Sequence, residues 1–343
     1  MIRAGNRSGL QRGLTLIELM LGVTLGFLIS GVVLSLYVNT SRSLAQNERY
    51  AWMQENARFA LKAMSEDLSM TDFWGRVIAT DVIGTNVTSP AGDCGLGIDA
   101  FNGNTAILVN NYHDPGPASI LFTPCAALTA DTRPKTDLLA LKRVEGSSTA
   151  STFVDAADVD NDLDTTEILT LGASNLSTGV VYLRSTGSAG TFVDDASSSN
   201  PPGTGQSDWR YIPRVYFVRN YYETAGDQIP ALCRLAISGV GLTVTECIAE
   251  GIEDFHVQFG IDTDKNAIAN IYTSTPTLSE MENAVSARVY LLARSIDADP
   301  HFSNDTEYLL GDSIVPAAND GFYRRVYSTT ISLRNTAARS LMQ

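Results

Sequence analysis

Histidine is scarce in this sequence, and the catalytic motifs that often contain it are missing. His113, His256 and His301 are isolated, without His-x-x-x-His or His-Glu-x-x-His spacing. There is also no Gly-x-Ser-x-Gly elbow and no Gly-x-x-x-x-Gly-Lys phosphate loop. We therefore expect no enzymatic activity and no organic cofactor, and we expect His256 to be a surface residue on the polar face of a strand.

Basic residues are also few relative to acidic ones. The 343 residues include 24 lysines and arginines against 38 aspartates and glutamates, for a net charge of −14. A general nucleic-acid interface needs a basic patch, so this balance argues against nucleic acid as a partner. High negative charge favours solubility and basic or metal-bearing partners.

Two acidic stretches have the alternating spacing of a calcium loop. The first contains Asp158, Asp160, Asp162 and Asp164, and the second is Asp262-Thr-Asp-Lys-Asn266. Calcium binds about six to eight oxygen ligands. Neither stretch has the glycine at position six or the glutamate at position twelve of an EF-hand loop. A solvated acidic loop therefore remains the alternative to a calcium site in both.

Charged residues are nearly absent from one long segment near the amino terminus. The run from Leu14 to Val38 has Glu18 as its single ionisable side chain, and Arg3, Arg7 and Arg12 precede it without any acidic residue. A helix of roughly 20 apolar residues crosses a bilayer. The basic leader predicts a cytoplasmic amino terminus, with the rest of the chain outside the cytoplasm.

Glu18 is an unfavourable residue in this apolar segment unless it has a partner. A lone carboxylate in a membrane helix costs on the order of 2.5 kcal/mol or more. Cleavage after Gly13 would create a charged α-amino group at Leu14, one helical turn from Glu18. The amino terminus of a neighbouring copy would serve equally well, which makes Glu18 a candidate assembly contact.

The segment Gly13-Leu-Thr-Leu-Ile-Glu-Leu19 resembles the processing signal of type IV pilins and type II secretion pseudopilins. The resemblance implies that a prepilin peptidase cleaves after Gly13 and N-methylates Leu14, with Glu18 as the assembly glutamate at the fifth mature position. Leu14 departs from the pattern, since phenylalanine is usual there. Without residues 1–13, 21 basic residues would face 38 acidic ones, for a net charge of −17.

Two other fates of this segment remain open. A secretory signal has an apolar core of about 7–15 residues and a small-x-small cleavage site. Ser43-Leu-Ala45 fits such a site, although the apolar core here is longer. The segment also fits a membrane anchor that is not processed. The mature chain would begin at Leu14 after prepilin cleavage, at Gln46 after secretory cleavage, or at Met1 without processing.

Beyond Val38 the helical pattern continues as an amphipathic helix over residues 39–72. Its predicted apolar side follows helical spacing and contains Trp52, Ala57, Phe59, Leu61, Met64 and Leu68. Its predicted polar side contains Glu48, Arg49, Glu55, Arg58, Lys62, Glu66 and Asp67. Residues 14–38 would thus be the transmembrane half of one long helix, and residues 39–72 the half that packs on a head.

Residues 73–343 read as a β-rich head. Short strand-like segments follow one another without long helices between them, which predicts an antiparallel sheet. Stretches rich in Ser, Thr, Gly and Asp predict a loop-rich elaboration over about residues 146–208. Thr277 or Ser279 is expected to cap a short helix. The fold class is therefore α+β, with a long amino-terminal helix packed on an antiparallel sheet.

Cysteine is sparse as well, and its four copies admit three pairings. Two predicted strands flank Gly239-Val-Gly241, and a three-residue hairpin loop there would place Cys233 opposite Cys247. By elimination, Cys94 would pair with Cys125. Disulfides persist outside the cytoplasm. Free thiols or a metal site remain the alternative, although no Cys-x-x-Cys spacing supports zinc.

The carboxyl-terminal strands sharpen the resemblance. The segments 253–262, 287–295 and 323–335 are similar to those of PilW-type minor pilins. This resemblance implies a type IV pilus protein that supports pilus assembly and twitching motility. It also implies other minor pilins, the major pilin, a tip adhesin, the prepilin peptidase and the inner-membrane assembly platform as partners. The protein would span the inner membrane once, with a periplasmic head, and then enter the pilus tip.

Two rival functions remain. A minor pseudopilin of a type II secretion system shares the helix, the processing signal and a β-rich head. A membrane-anchored periplasmic module that binds a ligand through its long middle loops is the alternative of a different class, and it would need no prepilin peptidase.

Overall fold

The structure is a computed structural model. It describes residues 15–77, 83–85, 87, 106–110, 132–155, 167–172, 176–194, 202–237 and 243–341. The chain separates into two compact units, residues 1–51 and 52–343. Gly13, Leu14, Cys94, Cys125 and the candidate calcium ligands Asp158, Asp160, Asp162 and Asp164 lie outside the described residues.

Three helices are described. They are α1 (Leu16–Met70), α2 (Leu278–Met281) and α3 (Arg334–Ser340). Helix α1 has 55 residues and confirms the long amino-terminal helix that the sequence predicts. Thr277 caps α2, because its side chain accepts the Glu280 backbone N–H while the Glu280 side chain accepts the Thr277 N–H. Helix α3 was not predicted.

Seventeen strands are described. They are β1 (Ile83–Thr85), β2 (Ile107–Asn110), β3 (Leu138–Leu141), β4 (Ala150–Asp155), β5 (Glu167–Gly172), β6 (Tyr182–Ser185), β7 (Gly190–Val193), β8 (Ser207–Arg210), β9 (Arg214–Arg219), β10 (Ala231–Ile237), β11 (Thr243–Glu250), β12 (Ile252–Ile261), β13 (Ile271–Thr273), β14 (Ala284–Arg294), β15 (Tyr308–Leu310), β16 (Ser313–Val315) and β17 (Arg324–Ser332).

These strands form three main sheets and one hairpin. The six-stranded sheet has the order β1-β7-β6-β8-β4-β5, the five-stranded sheet β11-β10-β9-β3-β2, and the four-stranded sheet β13-β12-β14-β17. Strands β15 and β16 form the separate hairpin. The strand pairs are antiparallel apart from β1 with β7. The α+β class with antiparallel sheets is therefore confirmed.

The loops predicted over residues 146–208 are in part strands. Strands β4 to β7 lie within this region, β8 begins in it, and they form most of the six-stranded sheet. Leu183 and Phe192 are fully buried there. Ser, Thr and Gly are typical of loops, but pairing with neighbouring strands brings these segments into a sheet.

Helix α1 buries part of the side that the sequence predicted, since Ala57, Met64 and Leu68 are buried as expected. The buried apolar side chains of its second half are Met53, Ala57, Ala60, Met64 and Leu68. Trp52 and Phe59 are each 57% exposed, so their assignment to the packed side was wrong. The small residues Ala57 and Ala60 have no exposed surface. Alanine lets the backbone of the helix approach a sheet more closely than an aromatic ring does.

Strand β12 is buried on both faces. All ten residues Ile252–Ile261 are buried. The strand is central in its sheet, and the turn at Gly311 between β15 and β16 lies over Gln258: a Cβ at Gly311 would be 2.8 Å from Gln258 Cδ. The hairpin therefore covers the polar face of β12.

Candidate assembly site

The amino-terminal end of α1 is closed by a reciprocal cap between Thr15 and Glu18. The Thr15 backbone N–H and hydroxyl donate to Glu18 Oε2 at 2.9 and 2.8 Å. Thr15 Oγ1 accepts the Glu18 backbone N–H at 3.3 Å. This arrangement satisfies free amide groups of the first helical turn and holds the carboxylate at the helix start.

Thr15 is a site residue that the sequence analysis missed. The signal for it was present, because Thr-x-x-Glu before an apolar run is the pattern of a capping box. The structure thus gives Glu18 partners within its own chain. Pairing of Glu18 with the new amino group at Leu14 stays a prediction, since Gly13 and Leu14 lie outside the described residues.

The side chains that follow Glu18 form an apolar surface. All residues from Leu16 to Val38 are exposed in the single chain. The most apolar part of α1 has a mean hydropathy of 2.3, and by length and composition this helix qualifies as membrane-spanning. Such a surface needs lipid or other apolar helices around it. These features support membrane anchoring.

In the second unit, Asp67 connects α1 to the five-stranded sheet. Its side chain accepts a hydrogen bond from the Tyr216 hydroxyl at 2.6 Å and one from Arg143 at 2.8 Å. Asp67 was predicted on the polar, exposed side of the helix, but it is only 4% exposed, so that prediction was wrong. Burial, together with the Asp67 charge, raises the pKa of Tyr216 above its usual value. Tyr216 therefore remains a hydrogen-bond donor.

The carboxyl-terminal end of α1 is held by the unpredicted helix α3. Asp72 has a φ of +67°, the left-handed conformation that commonly ends a helix. Its carboxylate accepts bonds from Trp74 Nε1 at 2.9 Å and from Arg339 at 3.0 Å. Asn335 donates to the Thr71 carbonyl at 3.0 Å. Burial raises the pKa of Asp72 despite the opposing effect of Arg339.

The predicted hairpin disulfide is present. Cys233 and Cys247 are directly opposite in the β10–β11 register and are joined by a disulfide. Arg234 is opposite Glu246, and the two side chains form an ion pair at 2.9 Å. The pairing of Cys94 with Cys125 lies outside the described residues and stays a prediction.

His256 is buried rather than exposed, so the prediction for this residue was wrong. Its Nδ1 lies 3.0 Å from Asp137 Oδ2, and its Nε2 lies 2.8 Å from Asp312 Oδ1. Ser274 donates to the other oxygen of Asp312 at 2.7 Å. Asp312 lies in the β15–β16 turn, which is not adjacent to β12 in sequence. The sequence pattern of β12 therefore could not predict that the β15–β16 turn buries His256.

One cavity lined by described residues lies beside an ion-pair network. Its volume is about 540 Å³, and its wall includes Arg133, Glu253 and Arg324. Both arginines pair with Glu253, and Arg324 also donates to Asp320 at 2.6 Å. Hydrogen bonds from Arg324 hold the pKa of Asp320 below its usual value. The two arginines are thus neutralised within the head.

The second candidate calcium stretch forms a closed turn. Asp262 accepts the backbone N–H groups of Ala267 and Asp264 at 2.6 and 3.2 Å. Within the part of the chain that the structure describes, no group of three or more His, Cys, Asp or Glu side chains has metal-binding geometry. The geometry at Asp262 therefore favours a structural turn, and the Asp158–Asp164 candidate stays untested.

Comparison with known proteins gives a family match over the carboxyl-terminal part of the chain. Residues 215–335 match the family model described as type IV pilus-assembly protein W, PilW. This match runs from β9 to the start of α3 and contains the disulfide hairpin and the four-stranded sheet. No curated protein matches the chain significantly.

A type IV-like pilin from Thermus thermophilus is a structural neighbour. It has 11% sequence identity and a TM-score of 0.35, and the alignment covers 83% of this chain and 97% of that one. The family match has a separate basis, because it rests on the sequence of β9 to β17. Residues 215–335 are thus similar to the PilW family, and the chain also has a long apolar amino-terminal helix that by length and composition could span a membrane.

Proposed function

We propose that this chain is a minor pilin of a type IV pilus, which is processed at Gly13 and helps to prime or cap the fibre. The single observation that carries the proposal is Glu18, held by Thr15 at the start of a helix whose apolar segment from Leu16 to Val38 is exposed. The match of residues 215–335 to the PilW family supports a role in pilus assembly.

In this proposal, the prepilin peptidase exposes and N-methylates the amino group of Leu14. The α1 surface from Leu16 to Val38 then passes from lipid to the helices of other pilin subunits. Glu18 gains an amino-terminal partner and is stabilised in the assembled fibre. The β-rich head contacts other minor pilins, the major pilin and a tip adhesin, and the fibre supports twitching motility.

The test replaces Glu18 by alanine in the full chain. Glu18→Ala should leave cleavage largely intact but strongly reduce incorporation into pili, because the apolar helix loses its charged assembly contact. Glu48→Ala is the matched control, since Glu48 is an exposed glutamate of the same helix outside the apolar run. Pilus yield by electron microscopy and mature-chain mass are the measurements.

Normal pili in the Glu18→Ala strain would refute the assembly role. Deletion of the gene distinguishes a minor pilin from a pseudopilin of a type II secretion system. Loss of pili and twitching supports the minor pilin, whereas loss of enzyme secretion with normal pili would identify a type II pseudopilin.

A further inference from the structure

Strand β17 is the edge strand of the four-stranded sheet, and its free side has a definite set of backbone groups. At its carboxyl-terminal end, the Leu333 N–H donates to the Val285 carbonyl at 2.9 Å, on the β14 side. At its other end, the Tyr323 carbonyl accepts the Ser295 N–H at 2.8 Å, also on that side. The backbone N–H and carbonyl groups of the odd-numbered residues of β17 therefore face β14 and form hydrogen bonds with it.

The even-numbered residues of β17 consequently direct their N–H and carbonyl groups away from β14. Apart from Arg324, which is buried at the start of the strand, these residues are Val326, Ser328, Thr330 and Ser332. The β14–β17 register has no shift along its whole length. Among the strands that the structure describes, none pairs with this side of β17.

Natural sheet edges usually carry a device that prevents further strand pairing, such as a proline, a bulge or a charge. From Val326 to Ser332, β17 has no proline and no charged residue. Ser328, Thr330 and Ser332 are exposed. As far as the structure describes the chain, this edge is therefore open to an additional strand.

Helix α1 forms the other wall of a groove along this edge. Two adjoining clefts of about 380 and 410 Å³ share Ser65 and together extend along β17. The first is lined by Gln54, Arg58, Leu61, Lys62, Ser65, Tyr327, Ser328 and Thr329. The second is lined by Ser65, Ser69, Met70, Thr330, Ile331, Ser332, Arg334 and Asn335.

The groove is basic in a protein that is otherwise strongly acidic. Its lining contains Arg58, Lys62 and Arg334 and no carboxylate, whereas the chain has a net charge of −14. Glu66 lies 3.9 Å from Lys62, but both side chains are about 70% exposed, so this pair neutralises little of the charge. The groove is therefore complementary to an acidic segment.

We propose that this groove binds an extended, acidic segment of another fibre subunit, which adds to β17 as a fifth strand of the sheet. Main-chain hydrogen bonds to Val326, Ser328 and Thr330 would supply affinity, and the basic side chains of the groove would select acidic side chains. The source of the segment rests on the proposed minor-pilin function, while the chemistry of the groove does not.

The test uses the full chain in detergent and a synthetic peptide with blocked ends. The probe is an alternating Thr-Glu-Val-Glu-Val-Glu-Thr peptide, and the control peptide has lysine in place of glutamate. Ser328→Pro removes an outward N–H without breaking a bond to β14, a position where edge strands tolerate proline. Ser328→Ala is its matched control, because it keeps the N–H.

The wild-type chain and Ser328→Ala should bind the acidic peptide, and Ser328→Pro should bind about tenfold more weakly or not at all. Hydrogen exchange at Val326, Ser328 and Thr330 should slow when the acidic peptide is bound. Binding should weaken as salt increases. Near-ultraviolet circular dichroism checks that the proline variant is folded.

A second variant tests the charge without changing the strand. Arg58→Glu combined with Lys62→Glu should abolish binding of the acidic peptide, while Arg42→Glu, outside the groove lining, should not.

Equal binding of both peptides, or unchanged binding by Ser328→Pro, would overturn the proposal. So would dimerisation of the chain through β17, which would assign the edge to a second copy. None of these outcomes changes the Glu18→Ala test of the minor-pilin function.

Discussion

Asp67 shows how a single residue joins the amino-terminal helix to the head. It is an acidic residue on a side of α1 that otherwise buries apolar side chains, and Tyr216, Arg143 and Arg234 surround it. A buried carboxylate is tolerated when charged and hydrogen-bonding partners compensate its lost hydration. Because three strands or their flanking segments supply these partners, Asp67 fixes the position of the helix on the sheet.

Removal of the Tyr216 hydroxyl tests this contact. Tyr216→Phe should reduce the free energy of unfolding by about 1.5–3 kcal/mol, the usual contribution of a hydrogen bond to a charged group. Tyr272→Phe is the control, because Tyr272 is 39% exposed and its loss should change stability by less than about 0.5 kcal/mol. Denaturant unfolding of the full chain in detergent measures both. Equal effects of the two variants would contradict the proposed anchoring role.

Asp312 makes the stability of the β15–β16 hairpin dependent on pH. Burial acts to raise the pKa of Asp312, but hydrogen bonds from Ser274 and His256 outweigh it and hold the pKa below its usual value. A carboxylate with a lowered folded-state pKa stabilises the protein above its unfolded pKa of about 3.9. That contribution is lost as the pH falls through the lowered folded-state pKa.

Asp312→Asn should therefore change how the free energy of unfolding depends on pH under acidic conditions. Between about pH 5 and pH 3, the wild-type protein should lose more unfolding free energy than Asp312→Asn, because the variant has no proton to gain at this position. Asp305→Asn, at an exposed position, serves as the control. Urea unfolding across this pH range is the measurement, and parallel acid limbs in wild type and Asp312→Asn would contradict the prediction.

At the scale of elements, the β10–β11 hairpin depends on its covalent link. The Cys233–Cys247 bond has a sequence separation of 14 residues. Closing a loop of about this length stabilises the folded state by about 3 kcal/mol on the chain-entropy account. Helix α1 also contacts this hairpin, since Asn56 donates to the Glu250 carbonyl at 3.2 Å.

The double variant Cys233→Ala, Cys247→Ala should therefore lose about 3 kcal/mol of unfolding free energy. Glu246→Ala changes the next rung of the same hairpin, where the glutamate is 56% exposed, and should cost no more than about 1 kcal/mol. Denaturant unfolding compares the two. A loss in the double variant no greater than in Glu246→Ala would show that the disulfide does not stabilise the hairpin.

The packed side of α1 gives a second prediction for an element. Ala60 has no exposed surface, so Ala60→Leu should cost about 1–3 kcal/mol through overpacking. Ala51→Leu adds the same side chain at an exposed position of the same helix and should be nearly neutral. Thermal unfolding of both variants checks this. A neutral Ala60→Leu would mean that the helix does not pack as closely as the structure shows.

For the whole molecule, the decisive prediction concerns the amino terminus. In a host with an active prepilin peptidase, the mature protein should begin with N-methylated Leu14 and lack residues 1–13. Gly13→Val should block cleavage, while Gly5→Val in the same leader should not. Mass spectrometry of the membrane-bound protein distinguishes these states. A chain that begins at Met1 or Gln46 would contradict processing as a pilin.

The sequence by itself determined the features that depend on neighbours along the chain. The long helix follows from an unbroken apolar and helical pattern, and the Cys233–Cys247 disulfide follows from two strand-like segments on either side of Gly239-Val-Gly241. The cap between Thr15 and Glu18, although missed, could have been predicted for the same reason, since the two residues are one helical turn apart. Local periodicity and short-range geometry specify such features without knowledge of the rest of the fold.

Tertiary structure alone decided which polar residues are buried. The burial of His256 depends on a hairpin more than 50 residues further along the chain, and Asp67 is covered by partners from 76 to 167 residues away. The pairing of β1 with β7 in the six-stranded sheet likewise joins distant segments, since Ile83 is opposite Gly190. A sequence pattern records whether a side chain is polar, but burial of that side chain is a property of everything that packs against it.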